Sequence, residues 1–247
     1  MSKQGRDHGN ARRIVEQQRA AERRRRITVW TSVGVVLVLL LAGLVGFVTL
    51  RSQSADAGAV IVPPGSVDSG TAFAVGDGPV VVDVYEDFMC PICNEFEKQS
   101  GATIKTLVSG HKVTVRYHPV AILDRASNGT LYSTRAAGAA AAAAEGGKFI
   151  EYHDVLYANQ PAENSDGLTN AKLIELGTSV GLTSTAFANA VNDKTYDGWA
   201  GQVTETFSKR GFTGTPTIIV AGKLVTGPNQ SLPSDAVFSQ AVAAAAG

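Results

Sequence analysis

The chain contains two cysteines, and they lie close together in the segment Cys90-Pro91-Ile92-Cys93. Side chains three positions apart on a helix are neighbours, so the two sulfurs can form a disulfide without rearrangement of the backbone. A thiol pair with this spacing serves one of three purposes: exchange with other thiols and disulfides, a permanent structural bridge, or half of a metal site. The neighbouring elements distinguish between these uses.

The elements around the pair predict that it lies at the start of a helix. Residues 80–85 (VVVDVY) form a nearly continuous β-branched run, typical of a strand buried on both faces, and residues 94–108 have helical composition. Cys90 would be the N-cap and Pro91 the first helical residue, where its missing N–H removes no helical hydrogen bond. The free N–H groups and the positive dipole end of the helix would lower the pKa of Cys90. We therefore expect Cys90 to be the nucleophile and Cys93 the resolving thiol.

Two other uses of the pair agree less well with the sequence. A structural disulfide usually closes a longer loop, because the gain in stability rises with loop length. A zinc site needs a second pair of ligands, and the histidines after residue 60, His111, His118 and His153, do not have zinc-ligand spacing. We therefore expect no bound metal and no bound cofactor.

Two motifs resemble those of a known family. The segment Asp87-Phe88-Met89-Cys90-Pro91-Ile92-Cys93 resembles the active-site segment of the DsbA-like thiol–disulfide oxidoreductases of the thioredoxin superfamily, in their membrane-anchored bacterial form. The second motif is Gly214-Thr215-Pro216-Thr217, directly before a predicted strand. In the family, a proline at this place follows a cis peptide bond and faces the cysteines, and the residue before it pairs with the substrate. The resemblance thus implies a cis peptide bond before Pro216 and substrate binding by Thr215.

The resemblance covers about residues 70–247 and implies an α/β fold, namely the thioredoxin-like fold with an inserted helical domain at about residues 124–206. The sequence pattern agrees with this fold. Further strands are predicted at residues 71–75, 112–117, 217–220 and 223–225, and further helices at residues 133–145, 148–159, 169–180, 184–192, 197–209 and 234–246. Four large side chains of the inserted helices are predicted to be core residues: Tyr152, His153, Tyr157 and Trp199.

The sequence departs from the family around the cysteines. Many relatives carry a buried acid six residues before the nucleophile, where this chain has Val84. Glu86 has the right parity to replace that acid, but we favour solvated strand-end charges as the interpretation of Asp83 and Glu86. The Pro-Ile dipeptide lacks the histidine of the most oxidising relatives, so we expect a milder oxidant. His118 follows a predicted strand and either modulates the thiolate or, as we favour, is a satisfied loop histidine.

An apolar segment predicts the location of the domain. Residues 27–50 are 24 residues without a charge, and at ~1.5 Å per residue they span about 36 Å, enough to cross a ~30 Å hydrocarbon core. Arginines at positions 23–26 precede this segment, which predicts a single-pass anchor with a basic cytoplasmic tail at residues 1–26. Residues 51–70 would be a linker and residues 71–247 the extracytoplasmic DsbA-like domain. The alternative is a cleaved signal peptide, which also places the domain outside the cytoplasm.

The charge distribution excludes a nucleic-acid-binding role. The formal net charge of the chain is zero, but nine of its 22 basic and three of its 22 acidic residues lie within residues 1–26. The remainder of the chain is therefore acidic, and it lacks the basic patch that nucleic-acid binding requires.

These features predict an extracytoplasmic oxidase that donates a Cys90–Cys93 disulfide to reduced exported proteins, through a mixed disulfide on Cys90. The resemblance further implies a quinone-linked membrane partner that reoxidises the pair, and we expect the chain to be a monomer. One alternative is a reductase or isomerase that uses the same residues. Another is a copper-binding thiol module, which the scarcity of methionine disfavours, since Met89 is the only methionine after residue 1.

Overall fold

The computed structural model describes residues 60–247. The predicted cytoplasmic tail, the membrane segment at residues 27–50 and residues 51–59 of the linker lie outside the described residues. Between residues 60 and 247, none of the helices combines the length and the apolar character needed to cross a bilayer. The end of the predicted linker belongs to the folded domain: the indole N–H of Trp199 donates to the carbonyl of Gly70 at 2.6 Å, and Arg210 pairs with Asp68 at 2.9 Å.

A mixed sheet forms the centre of the domain. Its strands are β1 (Phe73–Gly76), β2 (Val80–Glu86), β3 (Val113–Pro119), β4 (Thr217–Val220) and β5 (Lys223–Leu224). They lie in the order β1-β3-β2-β4-β5. β2 and β3 are parallel, as the strand–helix–strand order predicts, and the other neighbouring pairs are antiparallel. The central strand β2 is buried along nearly its whole length, which explains its β-branched residues.

Strand β3 is longer than predicted, because it includes His118 and Pro119. The sequence predicts an end at Tyr117, since proline lacks the N–H that a central strand needs. In the described sheet, β1 pairs with β3 only as far as Tyr117, opposite Phe73. The last two residues of β3 therefore have one free edge, where the proline is tolerated. His118 is a strand residue and not the loop histidine that the sequence favours.

The helices of the described residues are α1 (Pro91–Ser109), α2 (Tyr132–Glu145), α3 (Phe149–Ala158), α4 (Asn170–Ser179), α5 (Thr185–Asn192), α6 (Asp197–Lys209) and α7 (Asp235–Ala246). α4, α5 and α7 begin after a capping residue, respectively Thr169, Ser184 and Ser234, whose side-chain oxygen accepts a backbone N–H of the first turn. These capping residues explain why the predicted bounds of these helices agree closely with the structure.

Helices α2 to α6 form the predicted insertion, and the alanine-rich helix α2 lies at its centre. Helices α3, α5 and α6 pack against α2, and the side chains of Ala139 to Ala143 are buried. Gly138 permits a close approach to α6, because a Cβ at this position would lie 2.6 Å from Oδ1 of Asp197. The alanine run therefore allows close helix packing. The predicted core residues of the insertion are all buried: Tyr152, His153, Tyr157 and Trp199.

Candidate active site

The two cysteines lie at the N-terminus of α1. Cys90 is the N-cap, with φ −76° and ψ 115°, and Pro91 is the first helical residue. Both thiols are free, and both cysteines are buried, with 6% of Cys90 and 1% of Cys93 exposed. Between them, Ile92 is 46% exposed. The predicted placement at a helix start is confirmed, and it leaves Cys90 nearer to solvent than Cys93.

The surroundings of the two thiols make them unequal acids. The Cys93 thiol, the Thr215 side chain and the backbone N–H groups of Cys93 and Ile92 stabilise a Cys90 thiolate and, against the effect of burial, lower the pKa of Cys90 to about 6. Burial, together with the neighbouring Cys90, raises the pKa of Cys93 well above its ordinary value. At neutral pH the pair therefore consists of one thiolate and one thiol that donates a hydrogen bond to it.

The loop before β4 faces Cys90. The peptide bond between Thr215 and Pro216 is cis, and Sγ of Cys90 lies 3.4 Å from the carbonyl oxygen of Thr215. The hydroxyl of Thr215 is buried and has no hydrogen-bond partner among the described residues, so it is available to a Cys90 thiolate. The structure thus brings the two sequence motifs together and confirms the cis peptide bond that the resemblance implies.

A surface cleft continues from this loop. It has a volume of about 500 Å³ and is lined by Ile92, the residues of the loop and Leu224. Leu224 is 59% exposed, in the edge strand β5. Exposed apolar side chains beside a strand edge are suited to binding an extended peptide.

A buried carboxyl group, Asp87, holds the turn that leads into Cys90. Its Oδ1 accepts hydrogen bonds from the backbone N–H of Met89 at 2.9 Å and the hydroxyl of Ser133 at 2.7 Å. Its Oδ2 accepts from the N–H of Leu123 at 2.9 Å. Burial raises the pKa of Asp87 to about 7, although these hydrogen bonds oppose the shift. Asp87 is not among the predicted site residues; its signal in the sequence is a charge directly after a buried strand, inside the cysteine motif.

Gln160, in the loop after α3, is a second residue that sequence reasoning missed. Its side-chain amide donates to the carbonyls of Phe88 at 3.1 Å and Cys90 at 2.9 Å. It also accepts a hydrogen bond from Asn94 in α1 at 3.0 Å. Gln160 therefore joins the inserted domain to the turn that carries Cys90. A single glutamine in a polar loop gives no sequence signal for this contact.

Glu86 was predicted as a solvated charge or as a modulator of the thiolate, and the first interpretation is wrong. Its side chain is 1% exposed, and its carboxylate lies 3.0 Å from Nε2 of His153 in α3. The strand end is covered by the inserted helices, which sequence alone does not reveal. The observed partner of Glu86 is His153 and not a cysteine.

Asp83 and His118 form a second buried cluster. Arg116 binds Asp83 with two nitrogens, at 2.5 and 2.8 Å, and Nε2 of His118 lies 3.1 Å from Oδ1 of Asp83. Burial alone would raise the pKa of Asp83, but His118 and Arg116 outweigh it and hold this pKa below its usual value. The ring of His118 stacks on Tyr85 at 4.1 Å. The structure therefore accounts for His118 as the partner of Asp83, and the solvated-charge interpretation of Asp83 is wrong.

Replacement of Thr215 with valine is expected to raise the pKa of Cys90, because the variant loses a hydroxyl that stabilises the thiolate. The measurement is the pH dependence of the rate at which iodoacetamide alkylates Cys90, and its midpoint should move to higher pH. Thr213, which is exposed in the same loop, provides the matched control Thr213→Val. Equal midpoints in the two variants would contradict the role of the Thr215 hydroxyl.

Comparison with known proteins agrees with the geometry of the site. The family model described as Thioredoxin matches residues 69–236. Among solved structures, the chain is 31% identical to the reduced form of the disulfide bond oxidoreductase DsbG of Mycobacterium tuberculosis, with a TM-score of 0.62 and coverage of 72% of this chain and 88% of that chain. It is 30% identical to reduced DsbA of the same organism, with a TM-score of 0.56 and coverage of 71% and 99%.

A curated relative matches over a shorter stretch. The chain is 31% identical over 116 residues to the serine/threonine-protein kinase PknE of Mycobacterium tuberculosis, which is 44% of this chain and 20% of the kinase. The match thus spans about a fifth of the length of that protein. From the matched family model, the two Mycobacterium structures and the paired thiols beside a cis-proline loop, we conclude that this chain belongs to the thioredoxin family and is a thiol–disulfide oxidoreductase of the DsbA and DsbG type.

Proposed function

We propose that the chain is an extracytoplasmic oxidase that donates a Cys90–Cys93 disulfide to reduced exported proteins. The observation that carries the proposal is the unequal acidity of the thiols: the pKa of Cys90 is lowered to about 6 and that of Cys93 is raised. When the reduced form of a thiol pair is stabilised as a thiolate, its disulfide is a stronger oxidant. The surroundings of Cys90 therefore favour transfer of the disulfide to a substrate.

The proposed exchange has two steps. A substrate thiolate attacks Sγ of Cys90, so that a substrate–Cys90 disulfide forms, the Cys90–Cys93 bond breaks, and Cys93 leaves and takes up a proton. The second substrate thiolate then attacks the first substrate sulfur, and Cys90 leaves as its stabilised thiolate. Two electrons pass from the substrate thiols to the cysteine pair, and the substrate gains a disulfide.

The position of the cis-proline loop supports a role for Thr215 and Pro216 in holding the substrate. A peptide joined to Cys90 would lie beside the backbone of Thr215, whose carbonyl oxygen is 3.4 Å from Sγ of Cys90. The adjoining cleft offers exposed apolar side chains to the rest of the peptide. Pro91 and Ile92 would affect the reaction by setting the helix start and the apolar surface next to it.

We also propose that residues 27–50 anchor the chain in the membrane with residues 1–26 in the cytoplasm. The support for this orientation is the charge asymmetry around the apolar segment. A quinone-linked membrane protein would reoxidise Cys90 and Cys93, as the resemblance implies, and the chain would act as a monomer.

The reduction potential distinguishes an oxidase from a reductase or isomerase with the same residues. We expect a potential above about −200 mV when the full chain is equilibrated in glutathione buffers and its free thiols are trapped with a maleimide. A potential near −270 mV, which is about that of thioredoxin, would contradict the oxidase. A Cys93→Ala variant is the control for glutathione adducts, because it has one thiol and no intramolecular disulfide.

A further inference from the structure

Three side chains converge behind the start of α1. They are Glu86 at the end of β2, Glu97 in α1 and His153 in α3. One ligand atom from each lies within 4.8 Å of the other two. The cluster therefore joins the central strand, the helix that carries the cysteines, and the insertion.

The carboxylate of Glu86 is buried, that of Glu97 is half-buried, and the hydrogen bonds of the cluster satisfy only part of their oxygens. Glu86 is 1% and His153 is 0% exposed, and Nε2 of His153 hydrogen-bonds to Oε2 of Glu86 at 3.1 Å. Oε1 of Glu86 lies 3.0 Å from the same nitrogen and so has the imidazole as its ion-pair partner, whereas Oε1 of Glu97 is buried without a hydrogen-bond partner. Among residues 60–247, neither carboxylate forms an ion pair with lysine or arginine. Buried oxygens of this kind are unfavourable unless a proton or a cation satisfies them.

The imidazole of His153 is oriented as in many metal sites. Its Nδ1 lies 3.4 Å from Oδ1 of Asp154, and the other oxygen of this carboxylate, Oδ2, accepts from Lys105 at 2.6 Å. Against the effect of burial, Glu86 and Asp154 raise the pKa of His153 to about 10, so these acids hold a proton on the ring. A metal ion would displace that proton from Nε2, while Nδ1 still donates to Asp154. A carboxylate that orients a ligating histidine through its other nitrogen is a general feature of zinc sites.

A path from solvent reaches the cluster. A cleft of about 640 Å³ is lined by Glu97 and His153 together with polar and charged residues, namely Asn94, Lys98, Lys105, Asp154 and Gln160. A hydrated cation can enter through this cleft, and a water molecule from it can complete the coordination.

The cluster of Asp83 and His118, to which the half-buried Asp68 also belongs, shows the alternative in which arginines balance the carboxylates. Arg116 and Arg210 bind its two aspartates at distances from 2.5 to 2.9 Å. Two guanidinium groups therefore balance its carboxylates, and no cation is required. In the first cluster, within residues 60–247, the imidazole of His153 pairs with Glu86, and Glu97 is left without a cationic partner.

We propose that Glu86, Glu97 and His153 bind one divalent transition-metal ion, and that Zn²⁺ fits the site best. Two carboxylates and a neutral imidazole carry two negative charges, which balance the ion in a buried position. Three nitrogen and oxygen ligands plus a water give the four-coordinate geometry that Zn²⁺ prefers, whereas Ca²⁺ takes about six to eight oxygen ligands.

The test is a Zn²⁺ titration of the oxidised full chain, purified in detergent without a polyhistidine tag. Oxidation removes Cys90 and Cys93 as competing ligands, because both sulfurs are then held in the disulfide. We expect one equivalent of Zn²⁺ to bind by calorimetry, and Co²⁺ in its place to give the visible absorption of a four-coordinate ion. Glu97→Gln should weaken binding by at least about tenfold, since it removes a charged ligand.

The matched control is Asp68→Asn, in the cluster that arginines balance, and it should bind Zn²⁺ as the unmodified chain does. Circular dichroism and thermal unfolding establish that both variants are folded. Absence of Zn²⁺ binding by the oxidised chain, or equal binding by Glu97→Gln and Asp68→Asn, would overturn the proposal. Equal affinity for Ca²⁺ and Zn²⁺ would also contradict a transition-metal site. None of these results bears on disulfide exchange, so the proposed function is tested separately.

Discussion

Replacement of Cys90 with serine is expected to abolish disulfide exchange, whereas replacement of Cys93 with serine is expected to leave mixed disulfides with substrate. Cys90 carries the lowered pKa, and its sulfur lies beside the cis-proline loop. Cys93 is 1% exposed and has a raised pKa, so it is poorly placed to meet a substrate. Without Cys93 no enzyme thiol can attack Cys90 and release the substrate again, so a mixed disulfide persists unless a second substrate thiol attacks it.

The assay follows the oxidation of a reduced two-cysteine peptide by the unmodified chain in its disulfide form and by each variant as its glutathione adduct, and gel shifts detect mixed disulfides with a one-cysteine peptide. Cys90→Ser should not exceed the rate without enzyme. Cys93→Ser, supplied as a mixed disulfide with glutathione on Cys90, should exchange the glutathione for a one-cysteine peptide and retain it, because neither the enzyme nor the peptide then holds a second thiol. Mixed disulfides that form on Cys93 in the Cys90→Ser chain would reverse the assigned roles. The two variants control for each other, because each retains one thiol and removes one sulfur.

Asp87→Ala is expected to destabilise the folded chain by about 3–5 kcal/mol, the largest effect on stability among the residues near the cysteines. The substitution leaves the N–H groups of Met89 and Leu123 and the hydroxyl of Ser133 without their acceptor. Each buried donor left without a partner lowers the stability by about 1–3 kcal/mol. Part of this total loss is regained, because the variant no longer has to bury a carboxyl group.

The measurement is the free energy of unfolding in urea, followed by the fluorescence of Trp199, which is fully buried. Ser133→Ala is the control with a smaller expected effect. It removes one donor and leaves the carboxyl with its two backbone partners, so the free energy of unfolding should fall by about 1 kcal/mol. A loss below about 1 kcal/mol for Asp87→Ala would show that Asp87 does not hold the turn before Cys90.

The elements that position the site could be predicted because local patterns determine them. The β-branched run of β2, the fixed φ of Pro91 at the start of α1, and the capping serines and threonines of the insertion each act over a few residues. The cis peptide bond at Pro216 is different, because only the family resemblance implies it. No composition or spacing distinguishes it from a trans proline in a turn.

The partners of the buried charges could not be predicted, because they come from distant parts of the chain. Glu86 meets His153, and Asp87 meets Ser133, only when the inserted helices fold over the carboxyl end of β2. A sequence shows that a charge follows a strand, but it does not show what covers that strand end. The expectation of solvated charges failed for this reason, and Asp87 and Gln160 received no predicted role.

The proposed oxidase depends most on a thiolate at Cys90 near neutral pH. The most direct measurement is the rate of iodoacetamide alkylation of Cys90 in the reduced chain as a function of pH, with the product identified by mass spectrometry. A pKa of about 6 predicts that the rate is nearly constant above pH 7 and falls about tenfold per pH unit well below pH 6. A midpoint at about 8.5 or higher, as for an ordinary thiol, would contradict the assignment of Cys90 as the activated nucleophile.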